Sequence, residues 1–161
     1  MSDTARLLRA RGNAMQSAVP VGMGLVSVVL GLDTDTVKNI CDECGCDMAN
    51  DNCPGQVVIS GLKGAVESAS EKLKSAGARR VMPLALSAPV HCRDQEPSVE
   101  VMRKEFENVK IETPKSKWIS NKTCAVIENP DDIKEALIYQ LTHGVRWRES
   151  ENGCGVFVGR R

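Results

Sequence analysis

The sequence predicts a mixed α+β and α/β chain with a ferredoxin-like unit at its centre, and three observations carry that prediction. Between residues 24 and 86, β-branched runs bounded by glycine alternate with amphipathic helical stretches. Their order is strand, helix, weak strand, strand, helix, strand, which is that of a split βαβ unit. The chain has 161 residues, enough to bury a real core and to hold further elements beside such a unit. Its aromatic residues are two Trp, one Tyr and two Phe, so the core is built from Val, Leu, Ile, Ala and Met, and stacking platforms for bases are not available.

Taken in order, residues 3–17 read as a helix, with Asp3 as a candidate N-cap and Leu7, Leu8 and Met15 among the apolar positions. Residues 25–32 form a continuous run rich in Val and Leu and read as a buried strand. Thr34-Asp35-Thr36 offers a cap for a short helix over 37–44. Pro54-Gly55 turns the chain into a second strong strand at 56–60. Residues 63–76 are amphipathic, with Val66, Ala69, Leu73 and Ala76 on one face and Gly77 as the stop. A further strand is expected at 80–86, then a loop at 87–97 and a helix near 99–107. An irregular stretch runs to Asn121, and a helix at 131–142 is capped by Asn129 with Pro130 in its first turn. Residues 156–158 are strand-like.

Composition narrows the function classes. Basic and acidic side chains number 21 each, which argues against a protein whose main business is holding nucleic acid or an anionic membrane. The most apolar stretch, residues 18–32, is interrupted by Pro20, Gly22, Gly24 and Gly31 and is too short to span a bilayer. No small-residue cleavage site follows it, so the expectation is a cytoplasmic protein. Seven cysteines, an odd number without a secretion signal, are expected to be reduced thiols.

Three constellations are candidates for chemistry. Cys41-Asp-Glu-Cys44-Gly-Cys46, with Cys53 beyond it, has the spacing of one zinc clamp, but no second pair occurs. Small apolar residues on a helix face are the preferred reading, and no metal is expected. Ser87-Ala-Pro-Val-His91-Cys92 sets a histidine on a proline-stiffened loop just past a strand, where α/β proteins place a catalytic base. Position alone favours a solvated or structural histidine. Asn50-Asp-Asn52-Cys-Pro-Gly-Gln56 reads as a polar turn before a strand. Neither Ser27 nor Ser60 has the flanking glycines of a nucleophile elbow, so a base at His91 would need its serine from outside this sequence.

Together these residues resemble a family, the malonyl-CoA:acyl-carrier-protein transacylases of bacterial fatty acid synthesis. The likeness is carried by Arg11-Gly-Asn-Ala-Met-Gln16, Val29-Leu-Gly-Leu-Asp33 and Asn50-Asp-Asn-Cys-Pro-Gly-Gln-Val-Val-Ile-Ser-Gly61. It continues through Pro83-Leu-Ala-Leu-Ser-Ala-Pro-Val-His-Cys92, Ser120-Asn121 and Tyr139-Gln-Leu-Thr-His-Gly-Val-Arg-Trp-Arg-Glu-Ser150. The resemblance implies the C-terminal portion of that family: a core helix at 1–18, a ferredoxin-like subdomain at 19–86 and part of an α/β-hydrolase-like acyltransferase core at 87–161. It also implies a ping-pong transfer of malonyl from malonyl-CoA to the phosphopantetheine thiol of acyl carrier protein, without a cofactor.

In that reading His91 is the base, Gln140 orients it through an oxygen, and Arg11 pairs with the free carboxylate of malonate. Asn52, Gln56 and Asn121 match polar substrate-binding positions near the cleft. The family's serine lies in a GHSxGE elbow that this sequence does not contain, so a separate N-terminal serine-bearing lobe is an expected partner. Asp94 and Gln95 stand where the family carries Leu and Met, and a charge in an apolar slot needs a partner or water. Two outcomes are therefore open. One is an acyltransferase polypeptide completed by that lobe; the other is a non-catalytic remnant that at most binds carrier protein or another partner. The unit at 19–86 is expected to be the part able to fold alone, with apolar surface exposed over 87–158.

Overall fold

A computed structural model describes residues 2–153; Cys154 and the strand expected at 156–158 lie outside the described residues. Helix α1 (Ser2–Ala18) leads into β1 (Gly24–Leu30), α2 (Thr34–Cys44), β2 (Asp47–Cys53), β3 (Gln56–Leu62), α3 (Lys63–Ser75) and β4 (Arg80–Pro83). The four strands form one antiparallel sheet in the order β2-β3-β1-β4, and with two crossing helices that is the ferredoxin-like arrangement. Strand side chains alternate between faces, so Val29, Val57 and Ile59 pack under α2 and α3 against Val37, Cys41, Val66, Ala69 and Leu73. The opposite face presents Val26, Ala49 and Val58, and Val90 from the loop after β4 packs on it. One strand face thus builds the core, and the other seats the segment that carries His91.

The second group of elements is helical. Helix α4 (Glu96–Glu107) follows a short 3-10 turn (Arg93–Gln95). A small hairpin, β5 (Ile119–Ser120) with β6 (Ala125–Val126), precedes α5 (Pro130–Tyr139) and α6 (Trp147–Gly153). Met15 of α1, Met102 and Phe106 of α4, and Ile138 and Leu141 at the end of α5 form its core.

Several boundaries differ from the sequence-based expectation, each for a local reason. Asp33, not Thr34-Asp35-Thr36, caps α2: its carboxylate accepts from Thr36 N at 2.8 Å and from Thr36 Oγ1 at 2.7 Å. Asp3 lies inside the first turn of α1, since the helix is already formed at Ser2. β4 stops at Pro83, which has no N–H to give the ladder, although Leu84 N still reaches Val26 O at 2.8 Å. The polar run at residues 50–53 is the end of strand β2, not a turn; only Pro54-Gly55 turns. β2 tolerates these polar residues because it is an edge strand with two register shifts. Its free side is occupied by a chain segment: Val145 N donates to Ala49 O at 2.8 Å and Asp51 N to Val145 O at 2.9 Å. Arg148 then holds the buried Asp51 carboxylate through Nε at 3.0 Å and Nη2 at 2.6 Å. Asn129 does cap α5, accepting from Asp131 N at 2.8 Å. No described helix is long and apolar enough to cross a membrane.

Candidate functional site

The site is built where the sheet and the helices meet. The loop after β4 descends onto the sheet because Gly24 leaves room: a Cβ there would collide with the Pro89 ring. Val90 N donates to Ser60 Oγ at 2.8 Å, so a lone serine in an apolar strand fixes the residue before His91. His91 itself adopts φ 53°, a left-handed conformation that non-glycine residues rarely hold. The reward of that strain is direction. The Nδ1–H of His91 donates to the main-chain carbonyl of Gln140 at 2.5 Å. A carbonyl only accepts, so the proton sits on Nδ1 and the Nε2 lone pair is left for chemistry.

Gln140 follows the last turn of α5, where a helix leaves carbonyls without an internal partner. Its side chain is fixed as well, Nε2 donating to His143 O at 2.7 Å. The segment beyond approaches the sheet because position 144 is glycine: a Cβ would run into the Met48 carbonyl. Burial holds the pKa of His91 below the ordinary 6.5; the Gln140 carbonyl opposes this and the Arg11 charge adds to it. His91 is therefore a neutral imidazole at pH 7. The adjacent Cys92 is buried, and its thiol is pushed up to about 11, so it is no nucleophile at neutral pH.

Arg11 is half-buried on α1, and burial pulls its pKa below the ordinary value. Among the described residues it has neither an ion pair nor a hydrogen bond, while it and Gln140 line one cavity of about 550 Å³. The rest of that wall is mostly apolar, with Leu7, Phe106, Ile133 and Leu137. Asp3 on the same wall pairs with Arg6 instead, and an unpaired guanidinium beside a mostly apolar cavity is suited to a carboxylate that enters with a short organic chain.

The structure thus brings His91 and Gln140 into contact and sets the Arg11 charge near enough to act on the imidazole. Asn121 is half-buried, and its Oδ1 accepts from Ser150 Oγ at 3.1 Å, which engages it with α6. Asn52 and Gln56 sit at the far end of the β2–β3 hairpin, with Gln56 Oε1 facing Cys53 Sγ at 4.0 Å. They are four strand positions from Met48 and Ser60, roughly 13 Å from where the His91 loop docks. Cys41 and Cys46 are buried in the sheet core, and among the described residues no cluster of three His, Cys, Asp or Glu could hold a metal.

Two features went unseen in the sequence. Ser60 was detectable as the one hydroxyl at the end of Val57-Val58-Ile59. The ion pair of Arg93 with Asp47, 46 residues apart, left no local signal.

Comparison with known proteins fixes the relationship. Malonyl CoA-acyl carrier protein transacylases of Haemophilus influenzae and Bacillus subtilis are each 39% identical to the chain, over 152 and 155 residues. The alignments cover 92% and 93% of this chain and 49% of each relative. The solved transacylase of Coxiella burnetii superposes with a TM-score of 0.91 at 32% identity, over 96% of this chain and 50% of that one. The chain is homologous to the C-terminal portion of the malonyl CoA-acyl carrier protein transacylases. A malonyl-transacylase solved in complex with a type II polyketide acyl-carrier protein also matches, with a TM-score of 0.90 and 36% identity over 94% of this chain and 50% of that one. The chain spans about half the length of the curated transacylases it matches. No protein-family model matches it.

Proposed function

We propose that this chain supplies the base and the carboxylate-binding cation of a malonyl transfer from malonyl-CoA to the phosphopantetheine thiol of acyl carrier protein. The observation that carries the reading is the Nδ1 hydrogen bond of His91 to the Gln140 carbonyl, which leaves a neutral Nε2 as acceptor. A serine hydroxyl brought by the serine-bearing half of a transacylase loses its proton to Nε2 as its oxygen attacks the malonyl thioester. The imidazolium then returns the proton to the departing CoA thiolate. In the second half-reaction Nε2 takes the proton of the carrier-protein thiol, whose sulfur attacks the malonyl-serine ester, and gives it back to the serine oxygen. Throughout, the Gln140 carbonyl holds the ring in one orientation and accepts more strongly while the ring is charged. Arg11 pairs with the free carboxylate of malonate, which acetyl lacks. Asn121 is proposed as a secondary polar contact to the substrate; Asn52 and Gln56, at the far end of the β2–β3 hairpin, are proposed as contacts to the long CoA arm and not to the malonyl group.

The test mixes the chain with a polypeptide spanning the N-terminal half of the Bacillus subtilis transacylase, adds malonyl-CoA and carrier protein, and follows malonyl transfer by intact mass. Transfer is expected in the mixture and absent from the chain alone. Within the mixture His91→Ala abolishes transfer, and Arg11→Ala removes the preference for malonyl over acetyl; a stable malonyl ester on the isolated chain, or unchanged selectivity without Arg11, would overturn the assignment. A chain that captures carrier protein yet never supports transfer is the non-catalytic remnant instead.

A further inference from the structure

His91 holds a strained backbone conformation, and such a residue persists only where its surroundings over-determine it. The anchors that follow it are three consecutive side chains, each tied to a different element. Arg93 grips the Asp47 carboxylate at the start of β2, with Nη2 at 2.7 Å and Nε at 3.0 and 3.1 Å from its oxygens, while its main-chain N adds a bond at 2.8 Å. Asp94 Oδ2 accepts from Leu62 N at 3.1 Å, at the junction of β3 and α3. Gln95 is fully buried, and its Nε2 donates to Pro89 O at 2.7 Å and to Met15 O at 3.3 Å.

Met15 lies in the last turn of α1, where a helix leaves carbonyls unpaired and where this one has no basic side chain. Arg11 stands one turn earlier on the same face of that helix. Pro89 is two residues before His91. One carboxamide therefore spans from the helix that carries the arginine to the loop that carries the histidine. Its Oε1, buried and unpartnered among the described residues, is the cost of placing an amide there rather than an apolar side chain.

We propose that the turn Arg93–Gln95 is the positioning device of His91, with Gln95 setting the spacing between the His91 loop and the Arg11 helix and Asp94 pinning the loop to the sheet. The inference rests on His91 as the base, and these are positioning residues that do not touch substrate.

Its test reads the imidazole directly, in the full 161-residue chain, by nitrogen NMR. The unaltered chain should show a single Nδ1–H tautomer for His91 and a titration midpoint below 6.5. Gln95→Ala, which removes both carboxamide bonds without supplying the methionine the family carries there, should populate both tautomers and move the midpoint up toward 6.5 with the helix content unchanged. Asp94→Ala should do the same, whereas Asp94→Asn, which keeps an acceptor for Leu62 N, should restore the single tautomer. If Gln95→Ala fails to fold, the two Asp94 variants decide between the alternatives. A His91 that keeps its tautomer and midpoint in Asp94→Ala and in any folded Gln95→Ala would overturn the proposal, even if those variants are less stable. Absence of malonyl transfer in the reconstituted mixture would count against the function and leave this measurement standing.

Discussion

The sheet-centred and helical parts of this chain are built from similar apolar residues and finish in different states. Around the sheet, Val37, Val57, Ile59, Val66, Ala69 and Leu73 are sealed completely between strands and two helices. Among α1, α4 and α5, Met15 and Phe106 each keep 6% of their surface, and the cavity beside Arg11 opens between the helices. Leu8 and Leu137 on its wall are 63% and 41% exposed. The core of the first part closes between strands and helices, although Val21, Met23, Leu62 and Leu86 around it are exposed. The second keeps an open, mostly apolar cavity between its helices. The histidine and arginine sit on opposite sides of this divide: His91 is held down by the closed part, and Arg11 rides on the open one.

The contrast can be broken most forcefully from the closed side. Leu73→Ala, at a site with no exposure, should cost about 2–5 kcal/mol and unfold the sheet part, read as a drop in the urea midpoint. The matching Leu137→Ala should stay within about 0.5 kcal/mol, because its side chain already faces the open cavity. Equal losses at the two positions would mean that both parts share one cooperative core.

A smaller effect is expected from Arg148→Ala, which leaves the Asp51 carboxylate buried without its guanidinium. The loss should be about 2 kcal/mol, because Arg148 itself is one-third exposed and water replaces part of it. Hydrogen exchange should show that loss as faster opening of β2, with α3 unchanged.

The smallest effect sharpens the boundary itself. His91 has a lower pKa folded than unfolded, so the unfolded chain binds more protons in the window just below pH 6.5. Stability should therefore be full above pH 6.5 and fall as the pH drops through that window, by at most about 1.4 kcal/mol per pH unit. His91→Asn should flatten this part of the profile. An unchanged profile would mean that His91 is not buried in solution.

What was legible in the sequence was what local chemistry dictates. The order of strands and helices from Gly24 to Pro83 follows from β-branched runs and helical spacing, and the Asn129 cap from one residue type before Pro130. The cap of α2 falls one residue earlier than expected because Asp33 and Thr34 are equally good capping types, and geometry alone chose Asp33. β2 was weak on paper because Asn50, Asp51 and Asn52 suit turns; an edge position and the pairing with Val145 and Arg148 override that preference. The histidine and its carbonyl partner came through resemblance, since position alone argued for a structural role. The distance from His91 to Asn52 and Gln56 was hidden, because strand register, not sequence order, sets it. The roles of Asp94 and Gln95 were hidden too: their partners Leu62, Met15 and Pro89 lie 32, 80 and 6 residues away.

The two edges of the sheet bear on how this chain behaves in a concentrated solution. One is β2, already paired by Val145 and shut by Arg148; the other is β4, four residues long, preceded by Arg79, beginning at Arg80 and ending in a proline. Neither offers a neighbouring molecule the long unpaired backbone that seeds strand-to-strand stacking. Self-association is expected to begin at exposed apolar side chains, Leu8 and Leu137 on the cavity wall and Val21, Met23 and Leu86 beside the sheet, and a mild detergent rather than a denaturant is the additive that should keep the chain dispersed.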